Sequence, residues 1–122
     1  MMVIFDDSQP IFQQIAHMVE DDILNGTYRE GDQIISMAQF ASTFHVNPAT
    51  AVKGIALLVN EGILYKKRGL GMFVAAEAKQ IIMGKRRRRF YDDLIMKLLD
   101  EADKLELTTE DIIDMIRRGK RS

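Results

Sequence analysis

Ile11, Ile15, Met18, Val19 and Ile23 recur at steps of three and four, the spacing that lays one apolar stripe along a helix. Ser8-Gln9-Pro10 opens this first helix, with Pro10 tolerated in the first turn because its missing N–H would be unpaired there. Asn25-Gly26 is its expected left-handed stop. Residues 27–32 form a turn-rich connector into Gln33-Ile34-Ile35, which reads as a short strand. Ser36 then caps a short helix holding Met37, Phe40, Ala41 and Phe44, and His45-Val46 is the turn that follows. Asn47 caps the next helix with Pro48 at its first position, a strong start signal. Val52, Ile55, Ala56, Leu58 and Val59 are expected to be its buried stripe, and Gly62 its end. Ile63-Leu64-Tyr65-Lys66 and Met72-Phe73-Val74 predict two strands around the tip Arg68-Gly69-Leu70-Gly71.

From Ala76 onward glycine becomes rare and one long helical pattern runs to about Glu106. Within it Tyr91, Ile95, Leu98, Ala102 and Leu105 alternate steps of four and three, which is heptad spacing. Thr108 or Thr109 caps a last helix, with Glu110 and Asp111 in the first turn favoured by the helix dipole. Ile112, Ile113 and Ile116 supply its apolar face, and the tail from Arg117 to Ser122 is expected to fray. The pattern therefore predicts a mainly α chain with a small β-wing. Residues 1–75 would form a winged helix-turn-helix, and residues 76–122 a two-helix dimerisation or effector tail.

Composition narrows the possible functions. A chain of 122 residues has the length of one compact domain with an appendage, and its 47% hydrophobic and 29% charged residues suit a soluble globular fold. With no cysteine there is neither a disulfide framework nor a thiolate metal site. His17 and His45, the only histidines, read as surface or packing residues, so no metal or other cofactor is expected. Met1 does not lead into a signal peptide, and no apolar run approaches a membrane span. Those two features predict a cytoplasmic protein with no membrane partner. No nucleophile–base set, phosphate loop or paired catalytic carboxylates stand at meaningful spacing, so the chain is not expected to be an enzyme.

A net charge of -1 is unusual for a nucleic-acid binder, but the distribution matters more than the sum. Between Val46 and Ala75 stand Lys53, Lys66, Lys67 and Arg68 against the single acid Glu61. A capped helix start that can face base edges, beside a basic glycine-flanked hairpin, is what a winged helix-turn-helix uses to hold DNA. The candidate DNA-contacting residues are Ser36, Asn47, Pro48, Ala49, Thr50 and Lys53, with Lys66, Lys67, Arg68, Gly69, Leu70 and Gly71 of the wing. Thr50 and Lys53 lie one turn apart and are expected to share a face. The run Lys85-Arg86-Arg87-Arg88-Arg89 points all around its helix axis and reads mainly as a solvated segment. Tyr91, Ile95, Leu98, Ala102, Leu105, Ile112 and Ile116 form the candidate interface with a second copy of the chain.

The order of these pieces resembles the GntR family of bacterial winged-helix transcription regulators. The matching runs are Pro10 to Ile15, Ile23 to Gly26, Gly31 to Ser36, Val46 to Thr50, Glu61 to Leu64 and Arg68 to Val74. The short two-helix tail looks like that of the YtrA subfamily. Three positions depart from the family pattern: Ala38 stands where relatives place a DNA-contacting arginine, Pro48 where many place another, and Ala49 where a polar residue is usual. The resemblance implies a homodimeric, sequence-specific DNA-binding regulator, most simply a repressor, on a palindromic double-stranded operator. It further implies control of an ABC transporter operon and release by an unknown small-molecule effector. The alternative is a winged-helix protein-interaction module without specific DNA binding, favoured by the acidic pI and the missing arginine at Ala38.

Overall fold

Pro10 stands just before the first helix rather than inside it, and its carbonyl accepts the amides of Gln13 and Gln14 at 3.0 and 3.3 Å. The computed structural model describes residues 5–120. Helix α1 is Ile11–Leu24 and has no side-chain cap. Ser8 instead donates its backbone and side-chain hydrogens to the Asp6 carboxylate. Gln14 holds this leading segment, donating from Nε2 to the carbonyls of Asp6 and Gln9 at 2.8 and 2.7 Å. The buried side of α1 is Ile15, Ala16, Val19, Glu20 and Ile23, while Ile11 remains exposed.

Helix α2 is Met37–Phe44, with the Ser36 side chain accepting from the Gln39 amide at 3.1 Å. It ends at His45 in the left-handed region, φ 54°. Two residues later Asn47 Oδ1 accepts the Ala49 amide at 2.8 Å and starts helix α3, Pro48–Asn60, with Pro48 in its first turn. The chain leaves α3 through Gly62, φ 78°, with Ile63 donating back to the Leu58 carbonyl at 2.9 Å. Strands β1, Leu64–Lys67, and β2, Gly71–Val74, pair antiparallel with Tyr65 opposite Phe73 and Lys67 opposite Gly71.

The strand expected at Gln33–Ile35 is a single antiparallel bridge from Gln33 to Phe73. It is reinforced by the Gly31 amide on the Val74 carbonyl, the Val74 amide on the Asp32 carbonyl and the Ile34 amide on the Met72 carbonyl, at 2.9–3.0 Å. The connector thus extends the hairpin by a short third edge. Ile23, Ile34, Ile55, Leu58, Leu64 and Ile82 centre the main core, and Ile15, Phe40, Ala41 and Ala51 a second one beneath α2. Helix α4, Ala78–Arg89, adds Ala78 and Ile82 to the first of these.

The long helix expected from Ala76 to Glu106 is helical without a break from Ala78 to Lys104, but it is not α-helical throughout. Beyond α4 the segment Phe90–Ile95 is π-helical, and helix α5 occupies Met96–Lys104. The Met96 amide reaches the Tyr91 carbonyl, five residues back, and the wider turn rotates everything after it relative to a heptad frame. Helix α6 is Thr109–Gly119. Thr108 is its cap: its side chain accepts the Asp111 amide at 3.1 Å, and Asp111 accepts the Thr108 amide at 2.9 Å, a reciprocal capping box. Arg117 and Arg118 are helical rather than frayed, while residues 121–122 of the expected tail lie outside the described residues. The chain divides after Met83 into two compact units.

Candidate nucleic-acid interface

Helix α3 buries Ala51, Gly54, Ile55 and Leu58. Gly54 lets α3 lie close on α1, since a Cβ there would stand 2.7 Å from the Phe12 carbonyl oxygen. This packing corrects the expected stripe: Val52 is 53% exposed and Ala56 is exposed too. The solvent side of the helix is therefore Asn47, Pro48, Ala49, Val52, Lys53 and Ala56, with Thr50 half-buried at its edge. Small residues at Ala51 and Gly54 were the available signal, because the most tightly packed side of a helix need not carry its largest side chains.

Lys53 does not extend freely into solvent. Its ammonium lies 4.1 Å from the centre of the Phe12 ring on α1, a cation–π contact that orients it along one flank of α3. Thr50, further into the helix packing, is less accessible than Lys53, so the two do not present equally on one face. Ser36, with its side chain spent on the α2 cap, and Ala38 are both exposed at the start of α2.

In the wing, strand alternation sends Lys66 and Lys67 to opposite sides of the hairpin. Lys67 sits over an aromatic pair on its own side, 4.4 Å from the Phe73 ring centre and 5.8 Å from that of Tyr65, and those rings stack at 5.9 Å. Arg68, Gly69 and Leu70 form the exposed turn, closed by the Leu70 amide on the Lys67 carbonyl at 2.9 Å. Gly69 there has φ 78°. Gly71 follows at φ 129°, and the Gln33 side chain reaches across to it, donating from Nε2 to the Leu70 carbonyl at 2.6 Å. No pattern in the sequence marks Gln33 for this contact, which joins positions 37 residues apart.

The candidate interface is electrostatically simple. Glu61 is the only acid from Val46 to Ala75. The carboxyls with lowered pKa, Asp6 and Asp111, lie elsewhere. Hydrogen bonds from Ser8 hold down the first, and those from the Thr108 amide and hydroxyl the second. Among the described residues no cluster of histidine and carboxylate side chains could hold a metal ion, and no helix is long and apolar enough to cross a membrane.

The second unit, taken by itself, brings Leu98, Ala102, Leu105, Ile112 and Ile116 around one apolar groove of about 330 Å³ between α5 and α6. Tyr91 and Ile95, the other two positions of the heptad, lie in the π-helical segment and do not line it. Leu98, Leu105 and Ile116 are exposed, Ile112 is half-buried and Ala102 buried. Of the basic run, Arg87, Arg88 and Arg89 are exposed, while Lys85 and Arg86 are half-buried.

Comparison with known proteins places this geometry. Residues 11–74, more than half of the chain, match the gntR family of bacterial regulatory proteins. The HTH-type transcriptional repressor YtrA of Bacillus subtilis is 26% identical over 121 residues, covering 94% of this chain and 93% of its own. A GntR family transcriptional regulator from Listeria monocytogenes superposes with a TM-score of 0.75 at 30% identity, covering 95% of this chain and all of its own. The DNA-binding domain of AraR in complex with operator ORX1 superposes on 59% of this chain and 93% of its own, with a TM-score of 0.55 at 27% identity.

Proposed function

Because the chain belongs to the gntR family of bacterial regulatory proteins, we propose that this transcriptional regulator is a homodimeric repressor of a palindromic operator. Like the rest of its family it is not an enzyme, and its winged-helix fold is one that binds DNA. The observation that carries the finer reading is the exposed, acid-free side of α3 beside a wing bearing Lys66, Lys67 and Arg68. Asn47, Pro48, Ala49, Thr50 and Lys53 enter the major groove. Ser36 steadies the backbone at the start of α2, and Lys66 through Gly71 follow the flanking strand.

Repression is supported by the likeness to the YtrA repressor along nearly the whole chain. A second copy of the chain as partner is supported by the apolar groove of the tail and by Leu98, Leu105 and Ile116 standing exposed on or beside it. Two-fold symmetry then requires half-sites about one helical turn, or a multiple of it, apart. Control of a transporter operon and release by a small-molecule effector rest on the subfamily resemblance alone. Action in the cytoplasm follows from the DNA-binding reading, because a bacterial operator lies there. Selecting bound duplexes from random DNA tests the reading. Enrichment of an inverted repeat supports it, and retention of all sequences alike, or of none, removes it.

A further inference from the structure

We infer that Val52 reads the C5-methyl group of a thymine in the major groove, so that α3 recognises an A·T pair by apolar contact. The inference rests on the DNA-binding reading above and adds what the helix recognises. A helix on the surface of a globular protein normally turns charged and polar residues to solvent. The outer side of α3 does the reverse, because Ala49, Val52 and Ala56 stand at helical spacing with Lys53 as the only charge. No acid occurs anywhere from Val46 through Asn60.

The charge that is present is drawn aside. The Lys53 ammonium lies over the Phe12 ring at 4.1 Å, on the α1 flank, which leaves Val52 uncovered. The methyl-sized side chains of Ala49 and Ala56, one turn to either side, let the isopropyl group of Val52 stand out of the strip. At 53% exposure Val52 is the one large apolar side chain of α3 that stands exposed.

The chemistry of the groove selects the partner. Guanine asks for a pair of donors, adenine for a carboxamide and cytosine for an acceptor; only thymine offers a methyl group. The middle of this face carries no such polar group, and the carboxamide oxygen of Asn47 is committed to the Ala49 amide at 2.8 Å. An apolar strip beside a basic wing thus fits a thymine flanked by phosphates.

The test uses the full-length protein and the best duplex from random selection, with each thymine replaced in turn by deoxyuridine, which lacks only the methyl group. Wild type is expected to lose about fourfold in affinity at one symmetry-related pair of positions, the factor that one buried methyl supplies. Val52→Ala, with unchanged circular dichroism and thermal midpoint, is expected to bind thymine and deoxyuridine equally there. A penalty at every sensitive position that persists in Val52→Ala overturns the inference while leaving DNA binding intact. Absence of any selected sequence overturns the DNA-binding reading itself and the inference with it.

Discussion

Replacing Gly71 by alanine breaks the wing in two separable ways. Its φ of 129° is a conformation that residues with a Cβ rarely adopt, at a cost of about 1–3 kcal/mol. A Cβ there also meets Gln33 Nε2 at 2.7 Å, so the Gln33 side chain must swing away and give up its bond to the Leu70 carbonyl, worth about 1 kcal/mol. For a unit of this size each kcal/mol lowers the thermal midpoint by about 4–8 °C, so Gly71→Ala, at about 2–4 kcal/mol in all, is expected to cost roughly 8–30 °C. Gly69→Ala is the control. At φ 78° with nothing within 4 Å it carries backbone strain only, about 1 kcal/mol. Urea unfolding of Gln33→Ala, Gly71→Ala and the double variant isolates the second effect. Gln33→Ala is expected to cost about 1 kcal/mol in wild type and almost nothing beside Gly71→Ala, where the bond is already lost. Additive costs, or a Gly71→Ala midpoint equal to that of Gly69→Ala, would refute the clamp.

Asn47→Ala removes the oxygen that accepts the Ala49 amide, and is expected to lower stability by about 1 kcal/mol in urea unfolding. Leu98→Glu and Ile116→Glu place charge in the apolar groove of the tail. They are expected to yield monomers in sedimentation equilibrium with the midpoint of the winged helix unchanged. Asp111 titrates below 3.8 because it accepts hydrogen bonds from Thr108 in the folded state. Its folded pKa is thus the lower one, so the α6 cap is fully stabilising above 3.8 and is lost as pH falls through that depressed value. Carboxyl-carbon NMR should show the Asp111 value rise toward the ordinary one in Thr108→Ala, and an unchanged value would deny the capping box its role.

What the sequence disclosed and what it hid follow from range. Caps are local, so Ser36, Asn47 and Thr108 could be recognised from the residues within three places of them. The sequence rule puts Pro10 in the first turn, one residue deeper than the cap position it takes, and Ser8 donates to the nearer Asp6 instead of capping the helix. Apolar spacing with Ile55, Ala56 and Val59 puts Val52 inside. The crossing with α1 instead demanded Gly54 and Ala51 on the buried side, and Val52 turned outward. The π-helical segment left no mark in the apolar spacing, since the heptad from Tyr91 to Leu105 scans smoothly through it. Contacts of long range, Gln33 with Leu70 and Lys53 with Phe12, needed the fold itself.

Recognition of DNA by α3 and the wing is tested most directly by the salt dependence of binding to a selected duplex. Wild type should bind it with an affinity that falls steeply with salt, by a logarithmic slope of about 0.9 for each phosphate contacted. Changing Lys66, Lys67 and Arg68 to glutamate should weaken binding and flatten that slope by at least one contact per wing, with the fold retained by circular dichroism. An unchanged affinity and slope in the folded variant would contradict the account.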